Sequence, residues 1–126
     1  MSVSADLRER EERAAGNQTL FREFNERVKR LNDRANFESV LDEWLCECAN
    51  TRCLERIAMF AEEYELVRQD GACFVVAPGD EHPCLDIERV TERNDRYWII
   101  EKLGYGAELT RRSDPRSNTG PLRIRT

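Results

Sequence analysis

The sequence predicts an α+β fold, with a long N-terminal helix followed by a small domain of β-hairpins and short strands that contains one short helix. Helix-forming residues run almost without interruption to about residue 34. After that point, short β-branched and aromatic runs alternate with turn residues, as is typical of strands. Three cysteines lie within eight residues of this second part, and the single histidine of the chain follows about thirty positions later.

Length and composition suggest one compact domain with extensions. The chain has 126 residues, of which 40% are hydrophobic and 36% are charged, which is polar for a globular protein. We therefore divide it into an N-terminal helix at 1–36, an α+β domain with the cysteines at 37–110, and a basic tail at 111–126. The tail has no apolar period and is predicted to be disordered.

The N-terminal helix is predicted at residues 4–34, and its apolar residues form a heptad pattern. They recur at a spacing of seven, at Leu7, Ala14, Phe21 and Val28. Phe24 and Leu31 follow the last two by three positions, which completes an a/d stripe. In one interpretation the residues from Phe21 to Leu31 dock on the protein's own core while the upstream turns stay in solvent. In the other, the stripe pairs with a second copy or with a partner helix.

The cysteine cluster is predicted at the tip of a hairpin. Extended segments at about 43–46 and 55–59 enter and leave the cluster, and they are interpreted as the two arms. A short helix follows at 61–69, with Ala61, Tyr64 and Val67 facing inward. It ends at Asp70-Gly71, since glycine is favoured just after a helix.

The remaining strands are read from apolar runs and their turns. Residues 74–77 form an apolar strand that stops at Pro78-Gly79. Residues 87–91 and 97–101 flank a polar stretch with a turn at Asn94-Asp95, which predicts a second hairpin.

The cysteine spacing predicts a zinc site. In a tetrahedral zinc site with bonds of about 2.3 Å, two sulfurs lie about 3.8 Å apart. Cys46 and Cys48 share one face of an extended strand, where residues i and i+2 are separated by about 6.5 to 7 Å. Both can bind one ion only if the chain curls, and Ala49-Asn50-Thr51 is a turn-prone place for that. Cys53 then closes the loop, which gives a zinc-braced hairpin.

The fourth ligand is predicted to be His82, which follows the Pro-Gly turn, with Cys84 as the alternative. Cys73 is interpreted as a small buried hydrophobic residue.

Zinc hydrolysis is disfavoured, because three thiolates and an imidazole leave no open position for water. Thiol redox chemistry is disfavoured because Glu47 and other acidic neighbours raise a thiol pKa. No catalytic residues are therefore assigned.

Charge is distributed unevenly along the chain. Residues 37–102 carry seven basic and sixteen acidic side chains, while 103–126 carry five basic and two acidic ones. An acidic core repels a phosphate backbone, so nucleic-acid binding would depend on the tail. The tail arginines are Arg111, Arg112, Arg116, Arg123 and Arg125. The sequence shows no apolar run long enough to span a membrane and no secretion signal, and clustered thiols suit a reducing compartment, so a cytoplasmic location is expected.

Several sequence blocks together resemble a group of small uncharacterised actinobacterial cysteine-rich proteins. The resemblance spans about residues 17 to 117. It rests on the blocks Leu20-Phe21-Arg22-Glu23-Phe24-Asn25-Glu26-Arg27-Val28, Cys46-Glu47-Cys48 with Cys53 and Ile57, Glu63-Tyr64-Glu65 with Val67-Arg68, Phe74-Val75-Val76-Ala77-Pro78-Gly79, Glu88-Arg89-Val90, Tyr97, Glu101-Lys102, and Asp114-Pro115-Arg116. Members of the group often carry histidine directly after Pro-Gly, whereas here that position is Asp80 and the histidine is His82. The resemblance implies no particular activity.

The expected function is that of a zinc-binding, non-catalytic regulatory or adaptor module. Its expected partner is another protein, or a second copy of the chain, bound through the N-terminal helix. The alternatives are a transcription-associated zinc protein that contacts nucleic acid and a thiol redox sensor.

Overall fold

The computed structural model describes residues 3–35 and 41–116 of the chain. Their elements are α1 Val3–Ala35, β1 Leu41–Leu45, β2 Arg56–Phe60, α2 Ala61–Val67, β3 Cys73–Val76, β4 Glu88–Arg93, β5 Trp98–Lys102 and α3 Gly104–Arg112. The predicted α+β fold is confirmed, and so are the long helix, both hairpins and the short helix.

The strands form two small antiparallel sheets. The first is the β1–β2 hairpin, and the second has the order β3-β5-β4. A backbone hydrogen bond of 2.8 Å from Glu47 to Val75 connects the end of the first hairpin to β3. Between the sheets, Trp44 stacks on Tyr64 with ring centroids 4.5 Å apart. This aromatic pair lies in one buried core with the hairpin and β3.

The α1 helix docks through a face that is largely polar, which differs from the predicted a/d stripe. Gln18, Arg22 and Asn25 are almost fully buried, whereas Phe24 and Leu31 are 47% and 60% exposed. The physical reason is hydrogen bonding. Asn25 donates to the Leu45 carbonyl and accepts from the Leu45 amide, each at 2.9 Å, and an apolar side chain leaves both backbone groups unpaired.

Part of the predicted docking set is nevertheless buried. Phe21 is 8% exposed, and Val28 packs against the core. The prediction was wrong for Phe24 and Leu31, because the buried face consists of positions a, b and e of the heptad rather than a and d. The helix therefore turns its Phe24 side toward solvent.

The first half of α1 is only partly solvated, which differs from the docking interpretation: residues 6–10 are exposed, but the range 11–15 includes three buried residues. Arg10 forms an ion pair of 2.6 Å with Asp86, and Arg8 lies over the Tyr105 ring, 4.2 Å from its centroid. Tyr105 belongs to α3, which sequence reasoning missed. Its two glycines and short apolar run give a weak helix signal, and packing against α1 supplies the missing stabilisation.

The beginning of the predicted tail is ordered. Asp114 is 2% exposed and accepts hydrogen bonds from the buried Arg68. Arg116 forms an ion pair of 2.9 Å with Glu26 of α1. The prediction of disorder is wrong for residues 111–116, because these ion pairs fix the chain against α1 and α2. The rest of the predicted tail, 117–126, lies outside the described residues, as do the proposed domain boundary at 36–37 and the first two residues.

Within the described ranges, none of the helices combines the length and the apolar character needed to cross a lipid bilayer.

Candidate metal centre

The three clustered cysteines lie at the tip of the β1–β2 hairpin. The Cys46 amide donates to the Glu55 carbonyl at 3.0 Å, which extends the hairpin pairing beyond β1. The chain then turns at Asn50, whose side-chain oxygen accepts from the Arg52 amide and whose carbonyl accepts from the Cys53 amide, both at 3.0 Å. This is an Asx turn of the kind that asparagine favours. The curl expected at residues 49–51 is therefore present.

His82 reaches the same place from the loop after β3. Pro78-Gly79 turns the chain, and Gly79 has a φ of 134°, which an L-residue rarely adopts. The His82 amide donates to the Gly79 carbonyl at 3.3 Å. As a result the imidazole lies over the hairpin tip and is only 5% exposed.

The four predicted ligands come together in space. One potential donor atom from each of Cys46, Cys48, Cys53 and His82 lies within 4.8 Å of the other three. The Nδ1 atom of His82 is 3.6 Å from the Cys46 sulfur and 3.8 Å from the Cys53 sulfur. Tetrahedral zinc places a sulfur and a nitrogen ligand about 3.5 Å apart. The cluster thus needs only a small contraction to hold a metal ion, and His82 faces it with Nδ1.

All five cysteines of the chain fall within the described ranges, and all are free thiols. Cys84 lies outside the cluster, and its amide donates to the Glu88 carboxylate at 2.8 Å. Between the two candidates for the fourth position, the structure therefore brings His82 to the cysteines. Cys73 is half-buried rather than fully buried, and burial raises the pKa of its thiol to about 11.

The sulfurs are shielded and supported by the backbone. Cys46 and Cys48 are each 1% exposed, while Cys53 is partly exposed. The Cys46 sulfur accepts a hydrogen bond of 3.2 Å from the Ala77 amide. Such a bond stabilises a thiolate, which is the form that binds metal.

The close approach of the thiols changes the pKa of each of them. A hydrogen bond with Cys46 lowers the pKa of Cys48 to about 5, and the same bond together with burial raises the pKa of Cys46. Burial also raises the pKa of Cys53. Without a cation, therefore, burial and the neighbouring thiols oppose ionisation of Cys46 and Cys53. A divalent cation removes this penalty, because each additional thiolate then faces a positive charge.

Glu47 has a structural role that sequence reasoning missed. Its carboxylate is fully buried and accepts hydrogen bonds of 2.9 Å from Asn25 and Tyr64 and of 3.1 Å from the Val75 amide. Burial raises the pKa of this group. The sequence Cys46-Glu47-Cys48 could have indicated this role. A chain that turns both sulfurs to one side turns the side chain between them to the opposite side, where Glu47 is buried. The partners on α1 and α2 were not predictable from spacing.

Two exposed carboxylates border the other edge of the imidazole. The Nε2 atom of His82 is 3.4 Å from Glu55 and 3.6 Å from Glu81. These residues line a depression of about 280 Å³ that also reaches Cys48 and Cys53. The depression is the exposed approach to the cluster.

A comparison of the chain with family models, curated proteins and solved structures found no significant match to any of them. The resemblance to the actinobacterial group therefore stays a prediction.

Proposed function

We propose that the protein binds one Zn²⁺ through Cys46, Cys48, Cys53 and Nδ1 of His82. The observation that carries the proposal is the convergence of these four donors within 4.8 Å, from two segments about thirty residues apart in sequence. Three sulfurs and one imidazole favour zinc over the hard cations Mg²⁺ and Ca²⁺, which prefer oxygen.

The proposed role of the ion is structural. Cys46 and Cys48 belong to the main buried core, and His82 comes from the loop after β3. A metal bound to all four residues therefore ties the hairpin tip to the second sheet. Four protein donors complete a tetrahedron, which is the closed arrangement of structural zinc sites rather than the open one of zinc enzymes.

Metal analysis of the full-length chain tests the proposal. We expect one zinc per chain after purification, and loss of that zinc in Cys46→Ser. Cys73→Ser is the matched control, because Cys73 is a partly buried thiol outside the cluster. A zinc content that Cys46→Ser leaves unchanged would refute the proposed ligand set.

We also propose that the zinc-braced domain serves as an adaptor for another protein, bound through α1. The support is an exposed apolar stripe on that helix. Leu20, Phe24 and Leu31 are 57%, 47% and 60% exposed. With 3.6 residues per turn their side chains fall within about 40° of one another around the helix axis. They form an apolar strip on the solvent side of a helix whose other face is already docked.

The stripe can be tested by substitution. The combined Leu20→Ser and Leu31→Ser variant should melt like the wild type and bind zinc normally, but it should lose association seen by native mass spectrometry or pull-down. The matched control is Leu66→Ser, on α2, where the leucine is 66% exposed and outside the stripe. Equal association of both variants would contradict the adaptor role.

The nucleic-acid alternative has less support. Arg111 forms an ion pair of 2.9 Å with Asp70, and Arg116 pairs with Glu26 and Glu65. Two of the arginines on which that hypothesis depends are thus already neutralised by acidic neighbours. An absence of salt-sensitive DNA or RNA binding at low ionic strength would remove this alternative.

A further inference from the structure

The imidazole of His82 has one nitrogen without a hydrogen-bond partner among the described residues. Its Nε2 atom is buried, and the residue as a whole is 5% exposed. The other nitrogen, Nδ1, faces the sulfurs. A buried imidazole nitrogen without a partner is unfavourable, so the groups in front of Nε2 require an explanation.

Those groups are two carboxylates from different segments. Glu55 lies immediately before β2, and Glu81 precedes His82 on the loop after β3. Their oxygens are 3.4 and 3.6 Å from Nε2, slightly beyond a normal hydrogen bond. Both side chains are mostly exposed, at 57% and 71%, so either can move the remaining few tenths of an ångström without disturbing the core.

The backbone turn lies directly against one of them. A methyl group at Gly79 would lie 2.6 Å from the Glu81 carboxylate, so this carboxylate packs directly on the Gly79 backbone. Glycine suits this position for two reasons. It adopts a φ of 134° without strain, and it has no side chain to prevent close contact with Glu81. Both bring the Glu81 carboxylate toward the edge of the His82 ring.

The chemistry of metal-bound histidine gives these carboxylates a role. An imidazole that binds metal through one nitrogen carries its proton on the other, and that N–H is usually donated to a carboxylate, a carbonyl or water. Such an acceptor fixes the ring orientation and makes the metal-binding nitrogen more basic. Here Nδ1 faces the sulfurs, so the proton belongs on Nε2, toward Glu55 and Glu81.

We propose that Glu55 and Glu81 are positioning residues of the metal centre, which accept the Nε2–H of His82 and hold its Nδ1 toward the three sulfurs. The proposal rests on zinc binding by this cluster, as proposed above. It adds that zinc affinity depends on two exposed carboxylates that do not touch the ion.

The test compares the double variant Glu55→Gln/Glu81→Gln with the wild type in a zinc titration against a competing indicator chelator. Glutamine keeps the shape but accepts a hydrogen bond more weakly than a carboxylate. We expect zinc affinity to fall by about 10- to 100-fold in the double variant. Glu62→Gln is the control for removal of an exposed carboxylate, because Glu62 lies on α2 outside the cluster and the depression. Its affinity should equal that of the wild type.

The single histidine of the chain allows a direct second measurement. In ¹⁵N NMR of zinc-loaded wild-type protein, the His82 signals should report a metal-bound Nδ1 and a protonated Nε2 whose proton exchanges slowly with water. In the double variant that proton should exchange faster, while the sulfur-to-metal charge-transfer bands of the Co²⁺ form stay unchanged. A merely structural role of the carboxylates would not change the exchange of this one proton.

Several outcomes would overturn the inference. Affinity of the double variant equal to that of Glu62→Gln would do so, as would a metal-bound Nε2 in the wild type. A second zinc per chain that is lost in the double variant would instead identify the carboxylates as ligands of another cation. If wild-type protein binds no zinc at all, the proposed function itself fails, and that result is separate from the others because it appears before any substitution.

Discussion

The two regions that hold the fold together use opposite chemistry. The hairpin tip brings together four potential metal ligands, Cys46, Cys48, Cys53 and His82. The thiols of Cys46 and Cys53 have raised pKa values and resist ionisation without a cation. Elsewhere, α1 docks through buried charges that already have partners within the chain. By the proposal above, the first region depends on a metal ion and the second does not, so chelation and substitution should affect them differently.

The second region contains two buried ionic clusters. Lys102 and Glu88 form an ion pair of 3.1 Å with both side chains fully buried, and Gln18 of α1 donates to the same carboxylate at 3.2 Å. Arg68, also fully buried, pairs with Glu26 and Asp114. These contacts orient α1 on the sheets. Buried ion pairs add little net stability but are costly to break from one side.

The largest effect should come from Cys48→Ser. Structural zinc contributes about 10 to 16 kcal/mol in zinc-finger peptides at pH 7, comparable to the entire stability of about 5 to 15 kcal/mol of a typical domain. We expect the variant to lose zinc and cooperative melting by circular dichroism, and excess chelator should bring the wild type to the same state. Cys84→Ser, outside the cluster, should melt almost normally. A cooperative melt of Cys48→Ser at the wild-type temperature would contradict the account.

Lys102→Met should have the next largest effect, for a different reason. It leaves the Glu88 carboxylate buried and without its cation, which costs about 3 to 5 kcal/mol. Urea unfolding should show this loss while the folded variant still binds one zinc. The double variant Lys102→Met/Glu88→Gln should recover part of the stability. Loss of zinc from folded Lys102→Met would show that the two regions are not independent.

Phe21→Ala and Phe24→Ala form a matched pair on α1. Phe21 is 8% exposed and Phe24 is 47% exposed. Truncation of a buried phenylalanine costs about 3 to 5 kcal/mol, and an exposed position usually changes stability by about 0.5 kcal/mol or less. Thermal melts should therefore separate the two variants clearly. Equal losses would indicate that the helix docks through the a/d stripe that the sequence predicts.

Acid should weaken the Arg68 cluster. Burial opposes ionisation of Asp114, but the hydrogen bond and charge of Arg68 outweigh it and lower the pKa of the carboxyl. A lowered folded-state pKa contributes stability above the ordinary value of 3.8, and this contribution is lost as the pH falls through the lower folded value. Asp114→Asn should cost about 2 to 3 kcal/mol at pH 7.

The difference in the free energy of unfolding between Asp114→Asn and the wild type should then decrease as the pH falls below the ordinary pKa of the carboxyl. Unfolding curves of the two proteins at matched pH values measure it, and any loss of zinc in acid affects both proteins alike. A difference that stays constant down to pH 2 would contradict the assigned ion pair.

Among these changes at buried or strained positions, Gly79→Ala should have the smallest effect on stability but a distinct effect on metal binding. Alanine at a φ of 134° is strained, and its methyl group would meet the Glu81 carboxylate, at a cost of about 1 to 3 kcal/mol. Zinc affinity should fall as His82 shifts. Gly16→Ala is the control, because nothing lies within 4 Å of the added methyl group and α1 should gain about 0.5 to 1 kcal/mol. Unchanged zinc affinity of Gly79→Ala would contradict the role given to the turn.

The sequence predicts the metal region better than the helix interface because the signals differ in range. Cysteine spacing and the Asn50 turn are local, so coordination geometry alone indicates the curl at the hairpin tip. His82 could be predicted as the fourth ligand because the Pro-Gly turn before it can bring its loop back over the hairpin tip. The docking face of α1 depends instead on backbone groups that are distant in sequence. Asn25 donates a hydrogen bond to the Leu45 carbonyl, and Arg22 donates one to the Gly71 carbonyl. A buried face made of polar residues shows no regular spacing of apolar residues. The heptad pattern therefore predicted the wrong face of the helix as the buried one.

The same limit explains the missed third helix and the ordered start of the tail. Gly104 and Gly106 weaken the local helix signal of α3, and only its packing against α1 stabilises it. Asp114-Pro115-Arg116 reads as disordered because its polar residues have no apolar period. Their partners, Arg68 and Glu26, are far away in the sequence.

Native mass spectrometry of the freshly purified full-length chain, recorded before and after treatment with a strong chelator, tests the central claim most directly. The account predicts one zinc ion per chain, its removal by the chelator, and a shift to the higher charge states of an unfolded protein. A chain that carries no transition metal, or that keeps its compact charge-state distribution after the metal is removed, would contradict it.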